Sequence, residues 1–219
     1  MRIIKNNLIY PVKKYAADKL VHFSTSYETK IVKPNGETKI LTRDLCRSFN
    51  ANFLQQIYAK MAYASVNFSN SQAPFSSNQT WARASDGTQV NNYNAATVFE
   101  IDAAIAVTTH GIILSTDTGT PAPLDYAMPS KIANGTGAGQ LLYQVQGGTG
   151  LVVSANQSQI SLFRTFINNS GATVTVNKFF LATYNTANYV MILTEKLSSA
   201  ENILDGQTYS VTIYITITT

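Results

Sequence analysis

The stretch Thr208-Tyr209-Ser210-Val211-Thr212-Ile213-Tyr214-Ile215-Thr216-Ile217-Thr218 decides the fold class. Tyr209, Val211, Ile213, Ile215 and Ile217 alternate with Ser210, Thr212, Tyr214, Thr216 and Thr218. Successive side chains of a strand point to opposite faces, so this order makes one apolar face and one polar, mostly hydroxyl-bearing face. It predicts a half-buried β-strand, entered through the turn pair Asp205-Gly206.

Working back from it, residues 158–167, 172–176, 178–184 and 189–194 read as strands. Asn168-Asn169-Ser170-Gly171 and residues 185–188 are the turns between them. Residues 97–101 and 104–114 are strand candidates, followed by a turn at Asp117-Thr118-Gly119-Thr120-Pro121; residues 124–132 are irregular. Asn134-Gly135-Thr136-Gly137-Ala138-Gly139 is a turn leading into 140–146, and Gly147-Gly148-Thr149-Gly150 turns the chain into 151–154. Short strands at this spacing predict a mainly β chain, an antiparallel β-sandwich or jelly-roll-like domain, rather than a parallel α/β sheet. The long closing strand, left at an edge, would be an aggregation hazard, which predicts a homo-oligomer that covers it.

The first part of the chain differs. Thr29-Lys30-Ile31-Val32-Lys33 and Thr38-Lys39-Ile40-Leu41-Thr42 flank Pro34-Asn35-Gly36-Glu37, two β-prone runs around an Asn-Gly turn, and predict a β-hairpin. Leu45, Cys46, Phe49, Phe53, Leu54, Ile57, Tyr58 and Met61 then fall at steps of three and four, the stripe of an amphipathic helix with Phe53 and Ile57 in the core. Thr42 is its expected N-cap, with Asp44 near the positive end of the helix dipole. Residues 66–94 are rich in Asn, Ser, Gln, Thr and Ala and read as a long loop or irregular short strands. The expected organisation is a basic N-terminal arm and hairpin over 1–42, an amphipathic helix over 43–62, a polar loop region over 63–96 and a β-sandwich domain over 97–219.

Of the 219 residues 45% are hydrophobic and only 13% charged. Disorder pairs low hydrophobicity with high charge, so it is excluded. No run of about 18 apolar residues exists to cross a membrane as a helix, and no leader of the secretory type is read at Met1. The net charge of +4 is unevenly spread: residues 1–62 hold eleven basic and four acidic side chains, residues 63–219 five and eight. A basic region of this kind suits an acidic partner. Its positive charges are dispersed among Tyr, Ile, Leu and Asn, which favours a structured protein contact over a nucleic-acid tail. Ile3, Ile4, Lys5, Leu8, Ile9, Lys13 and Lys14 are the assembly contacts this implies, an arm reaching onto a neighbouring protein.

The inventory for chemistry is thin. One cysteine, Cys46, excludes an intramolecular disulfide, and with His22 and His110 it leaves no zinc-type cluster. Cys46, on the apolar stripe, reads as a buried structural thiol. Gly135–Gly139 lacks the Gly-Lys-Ser/Thr and the following helix of a phosphate loop, and no Gly-x-Ser-x-Gly elbow exists. His110, in the strand run Val107-Thr108-Thr109-His110-Gly111, reads as structural. Glu100 and Asp102 share one strand face at i, i+2, a pairing that arises by chance on solvent faces. Trp81 could be a sugar-stacking platform, although anchoring its own loop is the simpler role. No enzyme, cofactor or metal is expected.

The second half carries a resemblance. Gly111-Ile112-Ile113-Leu114-Ser115-Thr116-Asp117-Thr118-Gly119, Pro123-Leu124-Asp125-Tyr126-Ala127-Met128 and Ile132-Ala133-Asn134-Gly135-Thr136-Gly137-Ala138-Gly139-Gln140-Leu141 resemble a pattern in virion structural proteins of tailed bacteriophages and prophages. So do Phe163-Arg164-Thr165-Phe166-Ile167-Asn168-Asn169-Ser170-Gly171-Ala172-Thr173-Val174-Thr175-Val176 and the ending Leu204-Asp205-Gly206-Gln207-Thr208-Tyr209-Ser210-Val211-Thr212. The resemblance covers roughly residues 111–219, and the preceding helix stretch also looks like that family; residues 66–94 have no counterpart in it. It implies a β-sandwich module in a multi-copy virion part (tail, neck, fibre or capsid-associated), made in the host cytoplasm and partnered by itself and other virion proteins. The alternative is a carbohydrate-binding or adhesin module that contacts a host glycan through Trp81 and tyrosine-rich loops.

Overall fold

The computed structural model describes residues 2–5, 8–11, 22–46, 49–50, 53, 81–86, 89–91, 101–185 and 188–218. These residues are mainly β, with almost no helix. Thirteen strands run β1 Arg2–Lys5, β2 Leu8–Pro11, β3 His22–Val32, β4 Thr38–Leu45, β5 Trp81–Arg83, β6 Gln89–Asn91, β7 Gly111–Ser115, β8 Leu142–Tyr143, β9 Gly147–Ser154, β10 Gln157–Ile167, β11 Val174–Asn185, β12 Asn188–Ile203 and β13 Thr208–Thr218.

Two antiparallel sheets share one core. The larger has the order β4-β3-β13-β10-β8, with β9 also on β10; the smaller is β12-β11-β7. These are sheets of six and three strands among the described residues, mainly β and antiparallel as the sequence predicts. The inward register Tyr209, Val211 and Ile213 of β13 is fully buried, and with Tyr27, Phe166, Phe179, Phe180, Leu114 and Leu193 it forms the core. Tyr27 of β3 and Phe179 of β11 meet edge-to-face at 5.1 Å, joining the sheets.

The closing strand is not an edge. β13 pairs with β10 from Gln157↔Thr218 to Ile167↔Thr208 and with β3 from His22↔Thr218 to Val32↔Thr208. The expected edge hazard is therefore absent at β13, and the hairpin belongs to the larger sheet rather than to an arm. The hairpin has the expected turn: Gly36 N bonds Lys33 O at 2.9 Å, and Gly36 takes φ +83°.

Other expectations are corrected. Arg43, Asp44 and Leu45 end strand β4 instead of starting a helix. The hydroxyl of Thr42 donates to Glu201 across 2.7 Å rather than capping. Most of residues 46–62, Ile57 included, lies outside the described residues. Phe53, half-buried, stacks on Phe49 at 4.1 Å against the core, and Asn50 pins this segment to β12 through Met191 O (2.7 Å).

Residues 101–110 are irregular, not strand, because their carbonyls turn inward to side chains described below. Gly147-Gly148-Thr149-Gly150 starts β9 instead of turning. Gly147 lies opposite Phe163, whose ring occupies the space a Cβ would need. β11 is one strand: a register shift between Val176 and Lys178 sets Asn177 aside to bond Thr116 O at 2.8 Å. β12 runs nine residues past its expected end at Thr194, its pattern exposed at Lys196 and from Ser198 to Ala200, with Leu197 buried between. Within 66–94, β5 and β6 pair from Trp81↔Asn91 to Arg83↔Gln89.

Candidate assembly surface

The buried polar groups show what the interior is used for. Arg164, fully buried on the inward register of β10, donates from Nε to Gln144 O (2.9 Å) and from Nη1 to Ile112 O (3.0 Å). Its Nη2 reaches Ala104 O (3.0 Å) and Val107 O (2.8 Å). Its guanidinium also lies 4.9 Å from the Tyr143 ring centroid. Burial pulls its pKa down to about 10, so it stays charged at neutral pH. A guanidinium carries five donors in a fixed fork. Four backbone carbonyls from three segments use them, and the loop 101–110 is held in place.

Glu201, buried on β12, is the second such group. Oε1 accepts from Thr29 and Thr42 hydroxyls at 2.7 Å each, and Oε2 from Tyr209 at 2.6 Å. Three strands of the large sheet thus converge on one carboxylate of the small one. Burial, with Glu201 beside it, pushes the Tyr209 phenol well above its usual range. Gln146 bridges in a similar way, from Ile112 N (2.6 Å) to Ile101 O (2.9 Å). Lys178 pairs with Asp117, holding that carboxylate below its usual range and fastening the loop after β7. Each of these groups is occupied in joining segments of the fold. A lone charge inside the apolar alternation Ile160-Leu162-Arg164-Phe166 was the sequence signal for Arg164.

The nominated chemical groups follow the same pattern. Cys46 is buried at the end of β4, and burial raises its thiol pKa, which keeps it in the inert thiol form. His110 is not in a strand but in the bend before β7. Its ring stacks on Tyr189 (5.8 Å) and tilts against Tyr184 (5.5 Å). Asp102 is exposed in the irregular segment, and Glu100 lies outside the described residues.

For the arm, Ile3, Ile4 and Lys5 on β1 pair with Tyr10, Ile9 and Leu8 on β2, a ribbon in register with no other described strand. Lys13 and Lys14 lie outside the described residues. Trp81 starts β5, whose hairpin reaches β12 through Ser85 N to Tyr189 O at 2.8 Å.

The surface itself is apolar at one end. The inward face of the large sheet, core around Tyr27 and Ile213, becomes exposed toward Phe23. In one cross-strand row stand Val153 of β9, Ser158 of β10, Ile217 of β13 and Phe23 of β3. The three apolar members are 66%, 43% and 54% exposed, far from their buried neighbours in the same register. Leu151 and Ile160 extend the row inward, both exposed. The sequence reading missed this patch, since single strands look fully amphipathic and only the pairing aligns their ends.

No described helix is long and apolar enough to cross a membrane. No protein family, curated protein or solved structure matches this chain.

Proposed function

We propose that the protein is a structural component of a bacteriophage virion, in the tail, neck, fibre or capsid-associated shell, and that it acts by multi-copy assembly. In this reading the two facing sheets are a β-sandwich, and the β1–β2 ribbon is the arm that docks on a neighbouring virion protein. The observation that carries the reading is the exposed apolar row Val153-Ile217-Phe23 with Leu151 and Ile160. Contiguous exposed apolar surface on a folded domain marks an interaction site. The interior supports it, because Arg164, Glu201 and Lys178 are committed to holding segments together. The resemblance of residues 111–219 to phage virion proteins supplies the setting.

Negative-stain images of intact particles labelled with antibody against this chain test the reading. Decoration at one regular position is expected; particles that carry none of the chain overturn it.

The second reading is a glycan-binding module. It is favoured by the half-exposed aromatic group of His110, Tyr184 and Tyr189, beside which the β5 hairpin of Trp81 is tied. Sugar titration followed by tyrosine and tryptophan fluorescence separates the two, since an assembly protein shows no saturable change.

A further inference from the structure

We propose that the outer side of β9 is the self-association surface of this protein, where a second copy pairs β9 to β9 antiparallel about a two-fold axis. The inference rests on the assembly reading above and names its surface.

β9 joins the sheet through β10 on one side only, and no described strand pairs with its other side. Such a side presents backbone donors and acceptors ready for another strand, and proteins guard against this with charged side chains or proline. β4, at the opposite side of the sheet, is guarded: it carries Lys39, Arg43 and Asp44, with Arg43 paired to Glu28. β9 is not. From Ile132 to Phe163 the sequence contains no Asp, Glu, Lys, Arg, His or Pro. The one interruption is a register shift at Gly150-Leu151 against Ile160, after which Val152–Ser154 pair regularly.

Leu151, Val152 and Val153 are exposed and put apolar side chains on both faces. Leu151 and Val153 share the inward face, and Val152, opposite Gln159, stands on the outward one.

Self-pairing fits this pattern better than pairing with β4 of another copy. A two-fold centred at Val152 sets Leu151 of one copy beside Val153 of the other, with Val152 beside its own counterpart. Apolar groups then meet on both faces, and the exposed row Val153-Ile217-Phe23 continues across the axis. No like charges oppose each other, because the segment has none. Pairing β9 of one copy with β4 of another would instead bring Lys39, Arg43 and Asp44 against an uncharged partner and desolvate them. A closed two-fold contact also uses the same patch on both copies, as isologous dimers do.

Light scattering of the full chain over a concentration series, with variants at Val152, tests this. The wild type is expected to dimerise. V152K and V152E should each weaken the dimer about tenfold or more, since like charges then face each other. Their melting temperatures should match that of the wild type at dilutions where it is monomeric, and mixing the two variants should restore association. K39E on the opposite side should have no effect. As a readout without substitutions, amide protection over residues 151–154 should rise with protein concentration.

A wild-type oligomer indifferent to V152K, with concentration-independent protection, overturns the β9 assignment and leaves the assembly reading standing. A wild-type monomer that is nevertheless found in particles does the same. A monomer absent from particles removes both. Protection that appears only on adding other virion proteins overturns the second-copy pairing in favour of a strand from another protein.

Discussion

Tyr209 Oη donates to Glu201 Oε2 across 2.6 Å, which ties the central strand of the six-stranded sheet to β12 of the facing one. The same carboxylate takes the hydroxyls of Thr29 and Thr42. Glu201→Gln keeps the shape but replaces one accepting oxygen with a donor, so one or two hydroxyls lose their acceptor. A loss of about 1–3 kcal/mol is expected in urea unfolding. Tyr209→Phe removes one donor and should cost less.

Arg164→Lys retains the charge and loses the fork. An ammonium with three donors cannot reach carbonyls of Gln144, Ile112, Ala104 and Val107 together. Destabilisation of about 2–4 kcal/mol is expected from the carbonyls left unmatched. Hydrogen exchange should increase first in residues 101–110.

Stability should fall on both sides of neutrality. Burial raises the Cys46 thiol and the Tyr27, Tyr143 and Tyr209 phenols above their ordinary values of 9.0 and 10.0. A raised folded pKa gives stability that is complete below the ordinary value and is lost as pH rises past it. The melting temperature should thus decline from about pH 9 upward, and Cys46→Ala should remove the earliest part of that decline. Asp117 is lowered, chiefly by the hydrogen bond from Lys178, from an ordinary 3.8. Its contribution is present above that value and lost as pH falls through the folded one. Asp117→Asn should flatten the acid limb.

Removing residues 1–21 takes away the β1–β2 ribbon and leaves every strand of the two sheets. The truncated chain should melt normally by circular dichroism and fail to enter particles. Removing residues 1–32 also deletes β3, the neighbour of β13 along its whole length, and should prevent folding. A 1–21 deletion that assembles normally would show the ribbon to be dispensable.

How much was legible depended on whether the signal was local. The alternation of β13 and the Asn35-Gly36 hairpin could be read directly, because pleat and turn chemistry act within a few residues. Ala104–Val107 reads as strand in the sequence, but the carbonyls of Ala104 and Val107 go to Arg164, 60 and 57 residues away. Gly147 was misread as a turn because the ring that needs the missing Cβ belongs to Phe163. The stripe that suggested a helix from Arg43 gave way at its start to pairing with β3, where Thr42 meets Glu201. The exposed apolar row could not be seen at all, because it exists only once four strands are in register.

The pairing of β3 with β13 also has a consequence in time. Val32 leaves the ribosome long before its partner Thr208 is made, 176 residues later. At roughly 5–20 residues per second that interval is on the order of ten seconds or more. Throughout it the hairpin β3–β4 waits with the inner side of β3 unclaimed, and the six-stranded sheet cannot close. Synthesis rate and chaperone supply, rather than the stability of the finished fold, should therefore set how much of this protein is recovered when it is produced quickly.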